Sequence, residues 1–465
     1  MGLLDVLDAR LGDGLENLLC AHHGRRLNRL GWGSVFEECA DGWSPRRPVR
    51  AGNDLEVLVD GREALPRIAE AIRTARSHVH IASWCASPDF RLTREPGAPT
   101  FRELLAEAAE RVDVRLLLWA GPPVPMFEPT RKRMIEARQE FTRGTGVKCV
   151  LDSRERTLHC HHEKIVVVDD ELAFVGGMDF TALEGDRHDS TEHPPRRPLG
   201  WHDLVGRVRG PVVADVAEHF RQRWQEVAGE HLPEPSTPAP AGNSSVQLVR
   251  TIPERTYDFA PQGEFSLLDA HLRMLRSARR LIYVENQFLW SPEVTEILIE
   301  KLRTPPDDRF RVVLVLPRKP SNGADTTRGQ LGRLLDADDG GRRLVAATLI
   351  SHERTPVYVH AKLAIVDDRW LTVGSANLNE HSLFNDTEAN LVSDAPEVAR
   401  ATRLRLWAEH LQRPVQDVSG DPADVVDHCW RPALESGHER VAALPGVSRR
   451  AGRLQGPLRG LLVDG

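Results

Sequence analysis

HEKIVVVDDELAFVGGMDF runs from His162 to Phe180, and HAKLAIVDDRWLTVGSANL runs from His360 to Leu378. Laid together without gaps, 7 of the 19 positions are identical and most others exchange one apolar residue for another. The copies begin 198 residues apart, a spacing that predicts a duplicated domain and not a solenoid period. HEKIVVVD and HAKLAIVD both read as strands. Residues i and i+2 of a strand share a face, so His162 projects with Lys164, and His360 with Lys362. Each copy closes the pattern H-x-K-x-x-x-x-D, with Asp169 in the first and Asp367 in the second. Composition predicts about 0.02 chance occurrences of that pattern in a chain of this make-up, and two are present.

Outward from these stretches, strands alternate with amphipathic helices at lengths that argue for α/β layers around a parallel or mixed sheet. The order before the first copy (DLEVLVDG, REALPRIAEAIRTARS, HVHIASW) recurs before the second (SVQLVR, FSLLDAHLRMLRSA, RRLIYVENQF). GEHLPEPSTPAPAGNS, with four prolines, is the linker candidate. The expected organisation is an N-terminal extension (1–50), a first half (51–228), the linker (229–244), a second half (245–415) and a C-terminal tail (416–465). The extension predicts one short amphipathic helix. The Arg-containing tail from Arg431 predicts a solvated, disordered segment.

Of 465 residues, 61 are Lys or Arg, yet only six are lysine: Lys132, Lys148, Lys164, Lys301, Lys319 and Lys362. Two of those six stand in the repeated motif. The net charge of −7 provides no general basic field for nucleic acid or anionic lipid. Six scattered cysteines without a CxxC pair fit a reducing compartment. The first residues lack the apolar run of a signal peptide, and no stretch approaches bilayer-spanning length. The expectation is a cytoplasmic, monomeric protein, with peripheral membrane contact as a further reading.

The paired His and Lys suit attack on a phosphodiester. Two ammonium groups from facing halves would neutralise phosphoryl oxygens as charge builds. One imidazole can attack phosphorus while the other protonates the leaving group and then deprotonates water. Lysine serves as a compact point charge where arginine's planar fork would not. The symmetry of the two copies leaves open which His plays which part.

At these residues the sequence resembles the phospholipase D superfamily. GG and Asp follow the first motif, and VGSANLNEHS follows the second, like the family's GSxNxxxRS continuation. The chain departs from that pattern at His381, where Arg is usual. WHDLVGRVRGPVVADVAEHFRQRW and YVENQFLWS also look like phospholipase D proper. The resemblance implies duplicated α-β-α sandwich halves related by a pseudo-two-fold axis, with one active site at their interface. It further implies a covalent phosphohistidine and no cofactor or metal, with His162 as nucleophile and His360 as acid. His162, Lys164, Asp169, His360, Lys362 and Asp367 are the expected catalytic set, although the two Asp could instead anchor the strand turn. Gly177, Asp179, Ser375, Asn377 and Asn286 are the substrate-binding candidates. By triad logic each His needs an orienting carboxylate. Glu388, 28 residues after His360, and Asp189, 27 residues after His162, are the matched candidates.

The cluster His159, Cys160, His161 and His162 could suggest zinc, but adjacent strand residues point in opposite directions and no second ligand pair follows. Phe288, Leu289 and Trp290 are read either as packing or as a lip that meets acyl chains. The expected substrate is a phospholipid, with water or an alcohol as acceptor. A cardiolipin synthase-like transferase, a nuclease of the same superfamily and a noncatalytic lipid- or phosphate-binding protein are the competing readings. Nucleic acid is disfavoured by the acidic balance.

Overall fold

In the computed structural model, residues 3–37, 41–123, 128–155, 159–183, 185–188, 200–321, 324–340, 342–437 and 440–445 are described. The strands are β1 (Arg50–Val59), β2 (His78–Ser83), β3 (Asp113–Trp119), β4 (Lys148–Asp152), β5 (Ile165–Val168), β6 (Leu172–Gly176), β7 (Trp201–His202), β8 (Leu204–Arg209) and β9 (Ser244–Ile252). They continue with β10 (Glu264–Phe265), β11 (Leu281–Asn286), β12 (Arg311–Val315), β13 (Leu344–Leu349), β14 (Tyr358–Val359), β15 (Lys362–Val366), β16 (Trp370–Gly374), β17 (Glu388–Asp394) and β18 (Val441–Ala443). The helices are α1 (Leu3–Arg29), α2 (Asp60–Thr74), α3 (Phe101–Ala109), α4 (Arg131–Thr142), α5 (Val212–Ala228), α6 (Ser266–Ser277), α7 (Pro292–Arg303), α8 (Ala324–Asp338), α9 (Pro396–Leu411), α10 (Pro422–Val425) and α11 (Arg431–Ser436).

One half of the large sheet runs β1-β8-β6-β5-β2-β3-β4, and the other runs β9-β17-β16-β15-β11-β12-β13. The two orders match strand for strand, and the halves join where β1 pairs antiparallel with β9. Strand β5, and β15 after its opening Lys362, read as apolar runs because every residue in them is buried. Helices α5 and α9 pack on a core shared by both halves. Helices α2, α3 and α4 cover the opposite face of the first half, and α6, α7 and α8 that of the second. The fold is thus a duplicated α-β-α sandwich.

The repeated Asp-Asp is explained by the hairpins that follow β5 and β15. Asp169 and Asp170 have φ of 57° and 56°, and Asp367 and Asp368 have 55° and 54°. Two successive positive φ values are what a type I′ turn requires, and Asp tolerates them better than most residues. The second Asp of each pair then docks the helix that closes its half. Asp170 accepts from Arg221 of α5 at 2.8 Å, and Asp368 accepts from Arg403 of α9 at 2.5 and 2.6 Å.

Two expectations are corrected at the edges, and one reading left open is decided. Helix α1 spans 27 residues and is not short; near its end Leu27, with Trp32 and Val35 beyond it, packs into the core of the second half. The segment from Arg431 is not a solvated tail as far as it is described. It forms α11, and β18 extends the sheet by pairing with β13, because Trp430 and Val441 are fully buried in the core. Phe288, Leu289 and Trp290 are buried too, so they pack and form no lip. Among the described residues no helix is long and apolar enough to cross a membrane.

Candidate active site

His162 and His360 stand just before β5 and β15, and each is tied to the opposite half by backbone hydrogen bonds. The amides of His162 and Glu163 donate to the carbonyl of Thr387 at 2.9 and 3.0 Å. The amides of His360 and Ala361 donate to the carbonyl of His202 at 2.8 and 3.1 Å, next to the short parallel pair β14–β7. The residue that follows each of these carbonyls is an acid, and it reaches the ring of the other half's His. His162 Nδ1 lies 2.9 Å from Glu388 Oε1, and His360 Nδ1 lies 2.7 Å from Asp203 Oδ2. A carboxylate on Nδ1 fixes the N–H tautomer there and leaves Nε2 as the reactive nitrogen of each ring. All four side chains are buried.

Glu388 therefore serves a His, and it is the His of the other half. Asp189 lies outside the described residues. On His360 the orienting position is held by Asp203, which the sequence reading missed. Asp203 precedes β8 just as Glu388 opens β17, and β8 and β17 are matched strands, so element order was the available signal. Counting residues from the motif could not find it, because Asp203 lies 41 residues after His162.

Each lysine ammonium donates to the carbonyl of its own motif His, at 2.5 Å in both copies. Lys164 Nζ also lies 3.4 Å from Asp179 Oδ2, whereas Lys362 Nζ donates to the Gln287 amide oxygen at 3.2 Å. Asp179 is itself fixed by Ser83 Oγ and the Cys85 amide. Its repeat partner Asn377 donates to the same Gln287 oxygen at 3.2 Å. Gly177 is needed for space. A Cβ there would lie 2.4 Å from Asp203 Oδ1 and 3.0 Å from Lys362 Cδ. Ser375 and Ser382 both donate to the Glu388 carboxylate.

Three candidates lie away from the centre. Asn286 Oδ1 accepts the amides of Phe288 and Leu378, so this side chain braces the loop after β16. Asp169 accepts the amides of Arg76, Ser77 and His78, and Asp367 those of Arg279, Arg280 and Leu281. Each lies five residues beyond its lysine along a strand, about 16 Å away. They anchor turns, as the sequence allowed, and are not in position to touch a group held by the lysines. Asp169→Ala is expected to cost about 1–3 kcal/mol of stability by denaturant titration, with turnover per folded molecule changed less than tenfold.

Burial sets the protonation of the centre. The His360 imidazole is held well below its ordinary value by burial, then by the charges of Lys362, Arg187 and Lys164. Burial raises Asp203 to about 6 against the pull of Lys362, and raises Glu388 against that of His162 and Lys164. Arg187, buried and 3.1 Å from the centre of the Trp201 ring, is a further cation that the sequence reading did not single out. Trp201 in turn lies 4.4 Å from the His360 ring. A cleft of about 710 Å³ opens beside Arg187, lined also by Arg91, Arg94 and Arg133.

Within the stretch His159 to His162, His161 and His162 point apart. His161 turns to Asp152 at 3.1 Å and to Thr387, while His162 turns to Glu388.

The fold is a duplicated α/β sandwich in which the His of each His–Lys pair meets a carboxylate of the opposite half. The chain belongs to the phospholipase D superfamily. Residues 71–200 match the profile of the family described as phospholipase D. Residues 272–408 match that of the PLD-like domain of cardiolipin synthase. Phospholipase D A of Dictyostelium discoideum is 26% identical over 463 residues, covering 79% of this chain and 36% of that protein. Phospholipase D alpha 1 of Cynara cardunculus is 25% identical over 538 residues, covering 78% of this chain and 66% of that protein. The chain thus spans from about a third to two thirds of these relatives' length. The crystal structure of phosphatidylserine synthase from Haemophilus influenzae superposes with a TM-score of 0.53 at 15% identity, over 77% of this chain and 86% of that one, a likeness of fold.

Proposed function

We propose that this protein is a phospholipase D-type phosphodiesterase that cleaves the distal phosphodiester bond of a phospholipid and passes the phosphatidyl group to water or an alcohol. The crossed pairing of His162 with Glu388 and His360 with Asp203 carries the reading, since it prepares two reactive Nε2 atoms beside two ammonium groups.

In the first step His162 Nε2 attacks phosphorus while the bond to the head-group oxygen breaks. His360 Nε2–H gives that oxygen its proton, so the head-group alcohol leaves neutral. Lys164 and Lys362 balance the charge that spreads over the nonbridging oxygens. In the second step the now neutral His360 takes a proton from water or an alcohol, whose oxygen attacks phosphorus as the P–N bond breaks. Phosphatidic acid or a new phosphatidyl ester departs, and both histidines are restored.

The depressed basicity of His360 in the free site opposes its role as acid. A bound diester anion would offset the cations that depress it, which couples acid strength to substrate binding. Asp203 must be ionised to hold the His360 tautomer, and it is ionised above about 6. The rate constant kcat/KM is therefore expected to fall as pH drops through about 6. Asp203→Asn should lower turnover by about 10²-fold or more and remove that acid limb from the pH profile.

The test incubates purified protein with phosphatidylcholine vesicles and ethanol, and in parallel with single-stranded DNA, both in chelator. Phosphatidylethanol formed by the wild type and not by His162→Ala supports the proposal. Cleavage of DNA alone would sink it, and no turnover of either substrate would favour a binding protein. The cardiolipin synthase-type profile over the second half favours one variant of the reading, transfer to an alcohol over hydrolysis. A phosphatidylethanol yield far above phosphatidic acid at low ethanol would show that preference.

A further inference from the structure

His159 belongs to the first half, and His381 and Asp386 belong to the second, yet the three side chains converge. One ligand atom from each lies within 4.8 Å of the others. His159 Nδ1 is 3.4 Å from Asp386 Oδ1, and His381 Nδ1 is 4.0 Å from Asp386 Oδ2. Zinc bonds of about 2.0–2.1 Å place tetrahedral ligands about 3.4 Å apart, so small side-chain rotations would close this set around one ion.

Two further observations point to a cation. Asp386 is fully buried, and its Oδ1 accepts the Cys160 amide at 2.9 Å. Among the described residues its Oδ2 meets no hydrogen-bond donor, which is costly for a buried carboxylate oxygen. The two oxygens of Asp386 face one ring each, Oδ1 toward His159 Nδ1 and Oδ2 toward His381 Nδ1. The set is thus one anionic oxygen and two imidazoles, a donor mix suited to zinc-class ions and not to calcium or magnesium. His159 is 14% exposed at its side chain, which gives an ion a way in.

A second group of two histidines and one carboxylate among the described residues behaves differently. His202, Glu285 and His410 have N–O separations of 2.7 Å, short hydrogen bonds too close to admit an ion between the atoms. His381 is also the position at which the chain departs from the family's arginine. A guanidinium there would be a built-in cation without a free lone pair, whereas an imidazole can be a metal ligand.

We propose that His159, His381 and Asp386 bind one zinc-class divalent ion that clamps the two halves together beside the His162–Glu388 contact. Water would complete the coordination. The reaction above uses no part of this site, so the two proposals fail separately.

The test titrates untagged, chelator-treated full-length protein with Zn²⁺ alone by calorimetry, and follows Tm in the same series. Wild type is expected to bind one equivalent and to gain about 2–4 °C in Tm. Asp386→Asn and His159→Ala should weaken binding by about 100-fold or more. His381→Arg should abolish it while keeping the unliganded Tm, because the guanidinium replaces the ion's charge. Co²⁺ substitution should give the visible spectrum of a tetrahedral site in the wild type only. No stoichiometric binding, or unchanged affinity in His381→Arg, would overturn the proposal.

Discussion

Replacing His162 by alanine is expected to lower turnover of phosphatidylcholine by about 10⁴-fold or more, because the nucleophile has no substitute. Water attacking directly would lack the Glu388-oriented imidazole, and His360, engaged as acid to the leaving group, could not also take the proton of that water. The variant should remain folded. Glu388 loses one partner but keeps the hydroxyls of Ser375 and Ser382 and the nearby charge of Lys164, so its buried carboxyl stays hydrogen-bonded beside a cation. Circular dichroism and Tm alongside initial rates check both parts. A folded His162→Ala protein with wild-type turnover would remove the imidazole from the reaction.

Arginine in place of either motif lysine is expected to cost about 10²–10³-fold in kcat, although charge is conserved. The reason is steric as well as chemical. The Lys362 stem passes 3.0 Å from where a Cβ on Gly177 would lie, and its ammonium already meets the His360 carbonyl and Gln287. Lys164 is enclosed in the same way by the His162 carbonyl and Asp179. A guanidinium at either place would be displaced from the nonbridging oxygens it must face. Lys132→Arg is the control. That side chain is 85% exposed, so activity should not change. If Lys164→Arg and Lys362→Arg kept full activity, the electrostatic part of the reaction scheme would be wrong.

Much of this architecture was legible in the letters because the duplication repeats it. The two 19-residue stretches give the strands, the faces shared by His and Lys, and the Asp-Asp turns. What the letters hid was the crossing between halves. Glu388 could be found by its distance from His360, but nothing in that distance says that it serves His162. Asp203 escaped because the chain between it and the first motif is longer than in the second half, and spacing shifts where element order does not. The part played by Asn286 was hidden for another reason. An amide near a motif can face substrate or brace backbone, and only the packing against Leu378 decides between them. The buried segment around Trp430 and Val441 is a similar case. Trp430 follows Val425, Val426 and Cys429, and Val441 opens the run VAAL, apolar stretches too short and too widely separated to give a period.

The central claim is a covalent step at His162, and trapping the adduct tests it most directly. Wild-type protein mixed with phosphatidylcholine is quenched within the first turnover, kept alkaline to preserve the P–N bond, digested and mapped by mass spectrometry. The expected result is a phosphatidyl group on the peptide that carries His162, absent from His162→Ala. His360→Ala should slow both steps and still show no label outside His162. A label on His360, or on no histidine while product forms at the normal rate, would contradict the account.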